Sequence, residues 1–244
     1  MDATLHPLNI TEKLRSDYAR YLQTIYPFRD PGLADAFRQA LSEPGFLIKG
    51  PVLEACPPYK TGRSLRQLIV QGVLHPIFSA LDSEALPLDR PLYAHQDHAI
   101  THVASLGRNM VVATGTGSGK TETFLVPIFN HLFRQHEAGL LCKPGVRALL
   151  LYPMNALAND QLGRLRRILA HFPEITFGRY TGETLQGRSE ARERFEHQFP
   201  DEVLLPNELL CRDDMQQTPP HILVTNYAML EYLLLRPSDS AFFD

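Results

Sequence analysis

The stretch Met110-Val111-Val112-Ala113-Thr114-Gly115-Thr116-Gly117-Ser118-Gly119-Lys120-Thr121 decides how this chain reads. The apolar run Met110–Ala113 predicts a strand. Glycines then alternate at Gly115, Gly117 and Gly119. Beyond Lys120, the residues Phe124, Leu125, Ile128, Phe129 and Leu132 recur at helical spacing. Strand, glycine-rich loop and helix together form the context of a phosphate-binding loop. Each residue type has a chemical reason to be there. Glycines let backbone N–H groups turn toward phosphate oxygens with no side chain in the way. The helix N-terminus adds positive potential. Lys120 can reach the β- and γ-phosphates as a point charge, and the Thr121 hydroxyl can ligate Mg²⁺. The strict pattern has glycine where Thr114 stands; Gly115 and Gly117 compensate inside the loop.

Downstream of the loop, apolar runs at Ala148–Tyr152, Ile175–Tyr180 and Ile222–Thr225 alternate with helical stretches. Those helices span Thr121–His136, Asn155–His171 and a charged segment near Arg188–His197. Such alternation predicts an α/β fold: a parallel sheet with helices on both faces. The polar, proline-bounded segment Phe199–Pro220 reads as a long loop or a short helical insertion. Upstream, Ile10, Leu14, Tyr18, Tyr21, Leu22 and Ile25 form one apolar stripe, closed by Pro27. Asp30-Pro31 reads as an N-cap with proline at the first helical position. Leu33, Phe37, Ala40 and Leu41 continue that second helix to Pro44-Gly45. Pro51, Pro57, Pro58 and Gly62 mark an irregular connector. Leu65, Leu68, Ile69 and Val73 suggest a third helix, and Asp82–Pro91 reads as a linker. The expected division is a helical accessory region over 1–90 and a nucleotide-binding lobe over 91–244.

Composition excludes several classes. Apolar residues make up 44% and charged residues 21% of 244, so neither a disordered chain nor a coiled coil is indicated. No apolar run is long enough to span a bilayer, and the first ten residues do not read as a signal peptide. The three cysteines, Cys56, Cys142 and Cys211, form no zinc or disulfide pattern, which points to a reducing cytoplasm. Net charge is -3, so charge alone argues for no nucleic-acid partner.

Further segments fall in a recognisable order. Tyr93-Ala94-His95-Gln96 precedes the loop. Tyr152-Pro153-Met154-Asn155-Ala156-Leu157 sits at a strand-to-helix junction. Tyr180-Thr181-Gly182 and Leu223-Val224-Thr225-Asn226-Tyr227 end later strands. Together with the loop, these segments resemble superfamily 2 DEAD/DEAH-box helicases, and their wording is most similar to the Lhr-like bacterial group. That group includes repair helicases and subunits of phage-defence systems. The resemblance covers 92–244 and implies a RecA-like ATP-binding first motor lobe of a nucleic-acid helicase or translocase. It implies that Gln96 reads adenine and that Thr114, Gly115, Thr116, Gly117, Ser118, Gly119, Lys120 and Thr121 hold ATP with Mg²⁺. It also implies that Pro153, Asn155, Leu157, Thr181, Gly182, Thr225 and Asn226 contact a nucleic-acid strand, with single-stranded DNA favoured by the resemblance alone. An acidic Asp-Glu box and a second motor lobe would complete such a motor. The box would follow shortly after Leu235-Arg236-Pro237-Ser238-Asp239, so the lobe is expected to be incomplete. Two rivals stand beside this reading. One is a fragment that binds ATP or nucleic acid without hydrolysis; the other is a different kind of P-loop NTPase.

Weaker constellations carry less. His95, His98 and His102 share one predicted helix but find no acidic or cysteine ligand in register. Arg164, Arg166 and Arg167 could touch phosphate, although arginines on helix faces are common. The one Asp-Glu pair, Asp201-Glu202, follows Pro200 rather than an apolar strand and reads as surface.

Overall fold

A computed structural model describes residues 6–50 and 58–243. The connector residues Pro51 and Pro57, and Cys56, lie outside them. Two compact units divide between Pro58 and Tyr59.

The smaller unit holds helices α1 (Pro7–Ile25) and α2 (Pro31–Ser42). Pro7 starts α1 at a position whose N–H would be unpaired in any case. The Asp30 carboxylate accepts the Leu33 N–H at 2.8 Å, the cap expected for α2. Phe37 of α2 meets Phe28 edge-on at 5.2 Å. No residue of α1 is buried, and its stripe residues Leu14, Tyr18, Tyr21 and Ile25 are exposed.

The larger unit opens with strand β1 (Thr61–Ser64), helix α3 (Leu65–Val70) and a 3₁₀ turn over Pro76–Leu81. Ser64 and Gln67 cap α3 reciprocally. Strand β2 (Pro91–Tyr93) pairs antiparallel with β1 and leads into α4 (Ala94–Leu106). The segment expected to be a linker, Asp82–Pro91, is instead part of this unit. Leu86 and Leu88 are buried in one core with Leu65, Leu68, Phe78, Ile100 and Leu125. Three of the charges that suggested a solvated tether are paired from elsewhere in the chain: Arg66 meets Asp82 and Asp89 at 2.7 and 2.5 Å, and Arg90 meets Glu122 at 3.4 Å.

The alternating half follows. Helix α5 (Lys120–Glu137) is succeeded by β3 (Ala148–Tyr152), α6 (Asn155–Leu169), β4 (Phe177–Arg179) and α7 (Arg188–Gln198). Then come β5 (Glu208–Leu209), α8 (Arg212–Gln217), β6 (Ile222–Asn226), α9 (Tyr227–Leu235) and a 3₁₀ turn over Pro237–Phe242. Four strands form a parallel sheet in the order β3-β6-β4-β5. The segment Phe199–Pro220, expected as loop or helix, thus supplies both a helix and the edge strand β5. Alternate residues of β6 face opposite ways. Ile222 and Val224 join the large core under α5 and α6, while Leu223 joins Tyr180, Met215, Met229, Leu233 and Phe242 on the other face. Both faces are therefore covered, as the α/β reading requires.

The expected strand Met110–Ala113 does not form. Among the described residues it pairs with no strand, and Val111 is 93% exposed. The loop and helix that follow still take their expected places.

Candidate nucleotide-binding loop and strand-end rim

The loop turns on glycine conformations. Gly117 and Gly119 have φ of 73° and 69°, in the left-handed region that other residues enter only with strain. Gly119 then starts α5, with Lys120 as its first residue. Ser118 is fully buried, and its hydroxyl lies 2.6 Å from the Thr114 hydroxyl. The Lys120 ammonium donates to the carbonyls of Thr114 at 2.9 Å and Gly115 at 2.7 Å. The loop therefore wraps its own lysine. Thr116 is exposed and Thr121 half-buried on the first turn of α5. A loop with left-handed glycines, an ammonium at its centre and a helix N-terminus behind it fits a phosphate chain with its metal.

Gln96 is buried beneath this loop. Its Oε1 accepts the Tyr93 N–H at 2.7 Å, and its Nε2 donates to the Gly119 carbonyl at 2.7 Å and to Glu122 at 3.3 Å. The Gln96 amide is thus committed to holding the loop. His95 helps: its Nε2 lies 2.9 Å from the Ser118 carbonyl. Glu122, also buried, accepts from Arg164 at 2.7 Å and Arg90 at 3.4 Å. Arg164 is therefore tied to the underside of the loop, and Arg166 pairs with buried Glu208 at 2.7 Å and with Glu202. Burial alone would lower the Arg166 pKa, but these carboxylates raise it on balance. Of the three arginines, only Arg167 has no carboxylate within ion-pair distance among the described residues. The His98 and His102 rings meet at a tilt, 4.1 Å apart, and no described group of three or more ligands could hold a metal.

The strand ends carry the second candidate set. Asn155 opens α6, whose first backbone N–H groups have no partner within the helix. Its Oδ1 accepts from Asn226 Nδ2 at 2.7 Å, and Asn226 caps α9 by accepting the Met229 N–H at 2.7 Å. Asn155 Nδ2 donates to Glu183 at 3.0 Å. Pro153, Leu157 and Gly182 are exposed nearby in sequence. Thr181 and Thr225 are placed differently from the expectation of hydroxyls facing a strand. Both are fully buried. The Thr225 hydroxyl donates to the Tyr180 carbonyl at 2.6 Å, and the Thr181 backbone is held by the Thr184 hydroxyl at 2.9 Å. Thr225 thus ties β6 to the end of β4, while Thr181 is held within the turn that follows β4, its hydroxyl accepting the Glu183 N–H, because a buried hydroxyl must find a partner inside.

Residues 93–241 match the family model described as DEAD/DEAH box helicase. The chain belongs to that family. It is 30% identical over 317 residues to the Druantia protein DruE of Escherichia coli (strain UMEA 4076-1), covering 97% of this chain and 17% of that protein. It is 32% identical over 131 residues to the ATP-dependent helicase Lhr-Core of Methanothermobacter thermautotrophicus, covering 54% of this chain and 14% of that protein. A crystal structure of the DUF1998 helicase MrfA bound to DNA and AMPPNP has the same fold over 77% of this chain and 21% of its own, with 24% identity and a TM-score of 0.51. The parallel sheet is thus the RecA-like sheet of a helicase. The chain spans about a fifth or less of the relatives it matches.

Within this DEAD/DEAH-family lobe, three residues near the rim escaped the sequence reading. Arg179 ends β4 and contacts Asn159 and Glu183. Arg212 reaches from α8 to the carbonyls of Thr184 at 2.9 Å and Thr181 at 3.0 Å, and its guanidinium lies over the Tyr180 ring. Glu183 carries the contact to Asn155. The one available signal was position: Arg179 and Glu183 bracket Tyr180-Thr181-Gly182.

Proposed function

We propose that this chain is the ATP-binding first motor lobe of an ATP-dependent DNA helicase or translocase that works in the cytoplasm with a second motor lobe. The observation that carries the reading is the loop itself: Lys120 wrapped by the carbonyls of Thr114 and Gly115, beside two left-handed glycines at the start of α5. Incoming β- and γ-phosphates would take the Lys120 ammonium from those carbonyls. The backbone from Thr114 to Lys120 would supply donors, and the Thr121 hydroxyl would ligate Mg²⁺. The bound ion would neutralise charge on the phosphates. Gln96 and His95 act from beneath by holding the Gly119 and Ser118 carbonyls, and any contact of Gln96 with adenine adds to that holding role.

Nucleic acid would lie along the rim of Pro153, Asn155, Leu157, Gly182 and Asn226, at the carboxyl ends of the strands where ligands bind in such sheets. Thr181 and Thr225 serve that rim by fixing the strand ends. DNA is favoured because the solved structure of similar fold was bound to DNA. A role in phage defence or DNA repair is supported by likeness to a Druantia protein and an Lhr-Core helicase. Contacts to phosphate and sugar carry no sequence information, so binding should be independent of sequence and sensitive to salt.

Calorimetry with Mg-ATP tests the loop. Lys120→Ala should cost about 1.5–3 kcal/mol of affinity, the worth of a charge-assisted contact, with the fold intact. Equal affinity in both proteins would end the assignment. Fluorescence anisotropy with unrelated single-stranded oligonucleotides tests the rim. The double change Asn155→Ala and Asn226→Ala should weaken strand binding without altering ATP affinity. Binding confined to one sequence, or indifferent to the double change, would show that the rim is no track.

A further inference from the structure

A cavity of about 450 Å³ lies between α6, the end of β4 and α7, beside the rim. Arg166, Arg167, Arg179 and Arg194 line it, together with the carboxylates of Asp160, Glu183 and Glu202. Arg166 and Glu202 neutralise each other, with Glu208 behind them. What remains is Arg167, Arg179 and Arg194 against Asp160 and Glu183. Among the described residues, neither Arg167 nor Arg194 has a carboxylate within ion-pair distance. Arg194 uses one Nη1 hydrogen bond, at 3.2 Å to the Glu183 carbonyl. Arg179 contacts Asn159 and the Glu183 carboxylate, the latter at 3.1 Å. The guanidinium of Arg179 is held below its usual pKa, first by burial and further by Arg194, although Glu183 opposes both.

The Glu183 carboxylate has a telling pair of partners. One oxygen accepts from Asn155 Nδ2 at 3.0 Å and the other from Arg179 Nη1 at 3.1 Å. An amide and a guanidinium converging on two oxygens of one anion is also how proteins hold a phosphate. The carboxylate itself is 44% exposed, so an arriving anion can replace it. We infer that Asn155, Asn159, Arg179 and Arg194 form a seat for a backbone phosphate of the bound strand, and that Glu183 occupies this seat as a built-in competitor. The inference rests on the nucleic-acid reading of the rim and adds to it a defined anion site and a residue that restrains binding. Displacement of Glu183 would free the donors of Arg179 and Asn155 for the phosphate, and Arg194 would supply charge that has no carboxylate partner now.

The test uses the full chain and a fluorescein-labelled oligothymidylate, titrated by anisotropy at several salt concentrations, with Mg-ATP calorimetry alongside. Glu183→Gln keeps the shape and an acceptor for Asn155 but removes the charge. It should tighten strand binding by about two- to fivefold, the range an exposed ion pair carries. Arg194→Gln should weaken binding by a similar factor and reduce the salt slope by about 0.7, one displaced cation on a single strand. Arg194→Lys should restore most of the slope. ATP affinity should be unchanged in all three. Unchanged or weaker binding by Glu183→Gln, or an unaltered slope in Arg194→Gln, would overturn the seat. If those variants are silent while the Asn155 and Asn226 double change still weakens binding, the rim stands and the seat falls. Failure of the unmodified chain to bind the strand at low salt would remove both. Inorganic phosphate at matched ionic strength should leave the strand bound, and displacement would give the site to a free anion and overturn the proposal.

Discussion

Gly119 shows how one residue can be constrained twice. Its φ of 69° places it where a side chain costs about 1–2 kcal/mol. A Cβ there would also stand 2.4 Å from Gln96 Nε2 and 3.2 Å from Glu122 Oε2. Gln96 cannot swing aside cheaply, because its amide satisfies the Tyr93 N–H and the Gly119 carbonyl in a buried position. Gly117 has a similar φ of 73°, but nothing lies within 4 Å of its Cβ position. Gly117→Ala should therefore cost only the conformational term. Gly119→Ala should destabilise by more, about 1–3 kcal/mol further, through the lost Gln96 contacts. Thermal unfolding of the two variants side by side reads the difference. A milder effect at Gly119 would mean that Gln96 does not hold the loop.

At the scale of elements, His221 joins β3, β4 and β6 at their starts. Its Nδ1 accepts the Thr176 N–H at 3.0 Å, its Nε2 lies 3.1 Å from the Leu141 carbonyl, and its own carbonyl accepts the Ala148 N–H at 3.0 Å. The ring is neutral in this arrangement, and burial lowers its pKa. Below about pH 6.5 the unfolded chain takes up a proton that the folded chain resists, so stability is lost as pH falls through that window and levels off only below the folded pKa. Urea midpoints should drop between about pH 7.5 and pH 5.5, and His221→Asn should lower the midpoint at both while flattening the difference. An equally steep drop in the variant would place the titration elsewhere. Elements also show what was legible beforehand. The loop, α5, α6, β3, β6 and the Asp30 cap follow from apolar period and cap chemistry, which are local. The Asp82–Pro91 segment misleads because its charges pair with Arg66, distant in sequence. Met110–Ala113 has strand composition, but a strand needs a ladder partner, and it pairs with none among the described residues. β5 is two residues long in a polar segment, too short for any period to register. The burial of Thr181 and Thr225 depends on strand register, which pattern alone does not supply.

For the whole molecule, binding ATP and turning it over place different demands on the chain. Hydrolysis in such motors uses a carboxylate to hold the metal and orient the attacking water, and an arginine finger alone is worth about 10³–10⁵ in rate. Two carboxylate candidates can be weighed here. Glu122 is next to Thr121 and buried under the loop, but Gln96, Arg164 and Arg90 engage it from beneath. Asp201-Glu202 is exposed, and Glu202 is bound to Arg166. Glu122 and Glu202 are thus already engaged by arginines. The chain of 244 residues should therefore bind Mg-ATP yet release phosphate far more slowly than the about 1–10³ per second of typical enzymes, with or without a DNA strand. A steady-state phosphate-release assay on the purified chain, beside its Lys120→Ala variant, gives the answer. Turnover in the ordinary enzymatic range that disappears in Lys120→Ala would mean that this chain carries its own catalytic carboxylate, and Glu122→Gln would then identify whether Glu122 is that group.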